Sequence, residues 1–120
     1  MNANAEQTLW RGALVVIIMH SPREKYWGVL DEINQSGVYL RGIDLSGFDD
    51  LIRSFGDADE PFSGVTEAFF PMWRVERIAR DRRAGDVPAL FELFEHRTGQ
   101  SVVQIFANDE APESVSHNPS

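Results

Sequence analysis

The chain contains no cysteine, so no disulfide staples it and no thiolate can ligate a metal. Basic side chains are scarce: 11 Lys and Arg stand against 19 Asp and Glu, a formal charge of −8. That sign opposes long-range attraction to a phosphate backbone. The longest apolar run, ALVVIIM at 13–19, falls far short of the ~20 residues a spanning helix needs and lacks the basic flank and cleavage site of a secretory signal. A soluble, cytoplasmic protein without membrane contact is expected. No Gly-rich phosphate loop and no Ser-His-Asp spacing is present, and Asp49 and Asp50, adjacent on a helical pattern, point in different directions. His20 and His96 lack further ligands at suitable spacing. No enzyme, metal site, cofactor or small-molecule substrate is therefore expected.

What the sequence does have is enough apolar material for one core. Of 120 residues, 42% are hydrophobic, which suits a single domain over 1–107. The tail 108–120 holds Asp109, Glu110 and Glu113 and almost no large apolar residue, so it is expected to be disordered. Setting those three acids aside leaves 16 acids against 11 bases, or −5.

Leu14 to His20 reads as a strand around the β-branched run Val15 to Ile18, the pattern of a strand buried on both faces. After the turn SPRE, Lys25 to Ile33 forms a second strand. Gln35 and Ser36 lead to Gly37 at a tight turn, and Val38 to Ile43 forms a third. Gly28 and Gly42 lie inside these strands, where a missing side chain permits bending or close backbone approach. The period then changes: Phe48, Leu51, Ile52 and Phe55 fall at i, i+3, i+4 and i+7, which predicts a helix over 46–56 with Ser46 as N-cap, Asp49 completing a capping box and Gly56 as terminator. DADEP at 57–61 reads as a solvated loop. Val65 to Phe70 and Arg74 to Ala79 supply two more strands around a short turn at Pro71 to Trp73. Asp86 as N-cap, Pro88 in the first turn and an apolar stripe of Val87, Leu90, Phe91 and Phe94 predict a helix, followed by a shorter one from Ser101 to Phe106. One further helical turn is expected over Glu6 to Trp10.

Five short strands in this order, with GVLDEINQSGVYLRG at 28–42 and FFPMWRVERI at 69–78, resemble the Sm-like (LSm) family. The local similarity is to its bacterial, Hfq-type branch. Gly28, Leu30, Ile33, Asn34 and Gln35 occupy the positions of that branch's second-strand motif, Val38, Tyr39 and Leu40 continue as its third strand does, and Phe69, Phe70, Val75 and Ile78 keep the apolar spacing of its second motif. GIDLSGFDD, FFPMWRVERI and HRTGQS are similar to a group of uncharacterised bacterial Sm-like proteins. The resemblance covers about 12–79. It implies a mainly β fold with added helices: a small, strongly bent five-stranded Sm-like barrel, a helix inserted between strands three and four, and a helical C-terminal extension over 86–106. It also implies a homo-oligomeric ring, with the chain itself as first partner and RNA as a second, weak one. Two departures stand out: Ser36 replaces the aromatic that stacks on a base, and Met72 and Trp73 replace a Lys-His pair.

Under that resemblance Asn34 and Gln35 face a pore and bind a base or ribose, with Arg74 on a phosphate. The alternative is that Asn, Gln, Ser and Gly are what a reverse turn prefers; a base site needs a stacking surface worth ~1–3 kcal/mol per base, and Ser36 offers none. Phe69, Phe70, Met72 and Trp73 are candidates for a subunit interface, where aromatic residues are enriched. Arg74, Arg77, Arg80, Arg82 and Arg83 form the one basic patch. It either tracks a phosphate backbone or pairs with the six acids between Asp44 and Glu60. Two functions follow: a ring-forming RNA-binding module, or a protein-interaction scaffold that kept the ring and lost the RNA site.

Overall fold

The computed structural model describes residues 9–56 and 64–106. The expected loop at 57–61 and the tail at 108–120 lie outside them. So does most of the expected turn at Glu6 to Trp10, of which Leu9 and Trp10 are not helical. Among the described residues five antiparallel strands form one sheet: β1 (Leu14–Met19), β2 (Glu24–Ile33), β3 (Gly37–Asp44), β4 (Thr66–Pro71) and β5 (Val75–Arg80), in the order β4-β3-β2-β1-β5. Among the described residues three helices accompany them: α1 (Phe48–Gly56), α2 (Leu90–Thr98) and α3 (Val103–Phe106). The fold is mainly β. Among the described residues no helix is long and apolar enough to cross a membrane.

Strand alternation divides the apolar residues into two cores on opposite faces of the same sheet. Val15, Ile17 and Met19 of β1 join Leu30, Val38, Leu40 and Phe70 on the inner face. Leu14 and Val16 turn the other way, towards Trp27, Ile43, Leu51, Phe94 and Phe106 on the outer face, which α1 and α2 cover. This is why β1 carries an unbroken β-branched run. Gly28 and Gly42 are register partners on the inner face. A Cβ on either would collide with the facing backbone, Gly28 with the Arg41 carbonyl and Gly42 with that of Trp27. Only glycine at both positions lets β2 and β3 approach this closely.

Helix capping differs from expectation in both long helices. Ser46 lies inside a 3-10 turn over Leu45–Gly47 that leads into α1, and Asp44 caps that turn, its carboxylate accepting the Ser46 N–H at 2.8 Å. Asp86 is not the cap of α2, which starts three residues later than a cap at 86 requires, and Val87 is exposed and pairs with Ala84 through the backbone. The donors at the start of α2 are taken up by Asp81, just past the end of β5. Its Oδ1 accepts from Leu90 N–H at 2.8 Å, and its Oδ2 accepts from Phe91 N–H and from the Trp27 indole N–H, each at 2.9 Å. Glu92 closes the first turn by accepting the Ala89 N–H at 2.8 Å. At the far end Gly99 adopts φ 73° and donates to the Glu95 carbonyl, a left-handed terminator that glycine supplies without strain.

Asp81 thus ties a fully buried indole on β2 to the first turn of α2. Replacing it with Ala orphans the buried Trp27 donor and two helix-start donors, each buried orphan costing ~1–3 kcal/mol. Asp81→Ala should lower the unfolding free energy in urea by about 3 kcal/mol, and Asp81→Asn, which keeps one strong acceptor, should lose less. A loss under ~1 kcal/mol for the alanine variant would show that water replaces the carboxylate.

Candidate functional site

The connection from β2 to β3 is a tight hairpin. Asn34 and Gly37 exchange backbone hydrogen bonds at 3.0 and 3.2 Å around Gln35 and Ser36. The Asn34 amide oxygen accepts the Ser36 N–H at 2.8 Å and the Gly37 N–H at 3.3 Å, while its Nδ2 donates to Glu32 at 2.8 Å. This is an Asx turn. The Asn34 side chain is engaged on both its oxygen and its nitrogen, so it holds the hairpin. Gln35 stands exposed at the tip.

The turn between β4 and β5, a 3-10 turn at Met72–Arg74, lies beside that hairpin: Met72 N–H donates to the Ser36 carbonyl at 2.9 Å, and Gly37 pairs with Pro71. Trp73, 66% exposed, therefore stands on the turn that abuts Gln35 and Ser36. Arg74 turns away. Its guanidinium binds the β1–β2 connection, donating to the Pro22 carbonyl at 2.7 Å, to Glu24 at 3.0 Å and to the His20 carbonyl at 3.2 Å. The four aromatic-edge candidates separate. Phe70 is buried in the inner core, with its ring 4.8 Å from that of Tyr26. Met72 packs against that core. Phe69 points to the outer face, 42% exposed, with its ring 4.7 Å from that of Tyr39.

Among the described residues three arginines of the basic patch have partners, none of them in the acidic segment 44–56; the acids at 57–60 lie outside the described residues. Arg74 meets Glu24, and Arg83 meets Glu92 at 3.4 Å. Arg80 lies over the Trp10 ring at 4.9 Å. Asp49 pairs with Arg97 on α2 at 3.8 Å, and Asp50 with Arg53 on its own helix. Arg41 is a feature sequence reasoning missed. Only 5% exposed, it donates from Nε to the Phe106 carbonyl at 2.8 Å and sits 3.4 Å from the Asp31 carboxylate. It anchors the end of α3 to the sheet and floors an outer-face cleft of about 600 Å³ that Arg11, Asp31, Tyr39 and Glu67 help line. An arginine inside the apolar strand VYLRGID, opposite a strand carrying Asp31, was the available signal. Among the described residues no three His, Asp or Glu side chains converge on a common point that could hold a metal.

Tyr26, beside this network, has its phenol pushed above the usual tyrosine value by burial, then by the Asp44 and Glu24 carboxylates, with Arg74 opposing. Below pH ~10 the phenol is neutral folded and unfolded; above it the unfolded chain ionises first. Stability should therefore fall as pH rises through that range, and Tyr26→Phe should flatten this part of the alkaline unfolding curve. Comparison with protein-family models, curated proteins and solved structures finds no match.

Proposed function

We propose that this chain is a non-enzymatic Sm-like module that assembles with copies of itself into a ring and serves as a protein-interaction scaffold. The strand order carries this reading. With β4 and β5 at the two margins, each pairs with one strand only among the described residues, β4 with β3 and β5 with β1. Rows of unpaired backbone groups invite another strand. Because the two margins differ, their pairing is head-to-tail, which closes into rings when the rotation allows. Light scattering on an eluting peak should give a mass several times that of the 13.6 kDa chain. A monomer at micromolar concentration would defeat the assembly.

The scaffold reading is favoured over RNA recognition because Asn34 spends its hydrogen-bonding groups on its own hairpin and Arg74 spends its guanidinium on Glu24 and two carbonyls. The overall charge of −8 acts in the same direction. Weak RNA binding has one specific support: exposed Trp73, on the turn hydrogen-bonded to the Gln35–Ser36 hairpin, supplies an aromatic face where the strand motif itself has Ser36. Titration with uridine-rich and adenosine-rich RNAs at low salt separates the two. The scaffold reading expects weak, salt-sensitive binding that changing both Asn34 and Gln35 to Ala leaves in place. Tight binding of one sequence, abolished by that double change, would replace it with the RNA reading.

A further inference from the structure

The face on which each edge residue lies follows from the register. On β4, Glu67 and Phe69 stand opposite Arg41 and Tyr39 of β3, the strand whose next residue of that parity, Ile43, belongs to the outer core. Both therefore lie on the outer face. On β5, Arg77 and Ala79 stand opposite Ile18 and Val16 of β1, and Val16 belongs to the same outer core. Arg77 is thus on the outer face too. Glu67 and Arg77 are both exposed, and neither makes an ion pair among the described residues. Their neighbours on the chain differ in this respect: Glu76 meets Arg23 at 3.4 Å and Arg80 meets the Trp10 ring.

A sheet continued from the β4 edge of one copy into the β5 edge of the next keeps its outer face continuous, since side-chain direction is conserved across a ladder. We propose that Glu67, with the exposed ring of Phe69 beside it, receives Arg77 of a second copy. The pairing rests on the assembly reading above and adds to it the side chains that choose the partner edge. The carboxylate supplies the charge, and Phe69, already packed on Tyr39, supplies a ring on which a guanidinium stacks. The second copy is the fitting occupant because it is the source of a free outer-face arginine on a free edge. Opposite charges on the two margins favour the β4–β5 join, whereas β4 against β4 would set Glu67 near Glu67 and β5 against β5 would set Arg77 near Arg77.

Charge reversal tests this directly. Glu67→Arg and Arg77→Glu should each raise the concentration at which the oligomer dissociates by tenfold or more, measured by light scattering across a dilution series. The double variant carrying both changes should recover most of that loss. Both positions are exposed, so thermal unfolding of dilute protein serves as the folding control. If the wild-type chain is oligomeric and the single variants dissociate no more readily, the pairing is wrong while the assembly stands. Singles that weaken the oligomer without recovery in the double variant would equally overturn it. A monomeric wild type would remove the assembly reading itself.

Discussion

One carboxylate joins what would otherwise be separate pieces. Asp81 leaves the end of β5 and accepts from the Trp27 indole on β2 and from two backbone donors at the start of α2. A helix start needs acceptors for donors that have no partner within the helix, and a buried indole needs one acceptor. Meeting both needs with one group places α2 over Trp27, and the outer core forms around that indole: Phe48, Phe94 and Phe106 surround it with ring centroids at 5.4, 6.4 and 5.2 Å. At the other end of the same core Arg41 holds the Phe106 carbonyl. Two polar contacts thus pin the helical layer to the sheet, with the apolar contacts filling between them.

The inner face depends on a different constraint. Gly28 and Gly42 face each other where β2 and β3 press together, and nothing larger fits. On β2 and β3 the apolar side chains of this face therefore flank that approach, Leu30 and Leu40 to one side and Tyr26 to the other. Beyond it lies the hairpin whose shape Asn34 sets, joined by the Ser36 carbonyl to the turn bearing Trp73. Exposed Gln35 and Trp73 are therefore carried on two turns that hydrogen bonds tie together.

Period and punctuation made much of the fold legible. Strand positions agree with the alternation pattern to within a residue or two, and α1 lies where Phe48, Leu51, Ile52 and Phe55 place it. What escaped depended on contacts distant in sequence. Asp86 sits at a plausible distance before an apolar stripe, yet Asp81 caps α2 because the end of β5 delivers it there, and no local spacing announces that. Phe69 and Phe70 resemble one apolar edge in sequence; the two-residue strand period sends one to the surface and the other to the core. The partners of the arginine patch escaped for the same reason, since β1–β2 and α2 supply Glu24 and Glu92 through tertiary folding. Of the candidate site, the turn character of Asn34 was legible from residue type, and the commitment of Arg74 to the β1–β2 connection was not.

The division of β1 between two cores has an evolutionary corollary. Val15 and Ile17 share their surroundings with Leu40 and Phe70, whereas Leu14 and Val16, one peptide bond away, share theirs with Leu90 and Phe91. Neighbours along this strand are thus under independent selection, and residues far apart in the chain are under joint selection. Across diverging sequences, volume changes at 15 and 17 should be compensated in β3 and β4, and those at 14 and 16 in the helical layer, so that a single short strand carries two unrelated covariation signatures interleaved residue by residue.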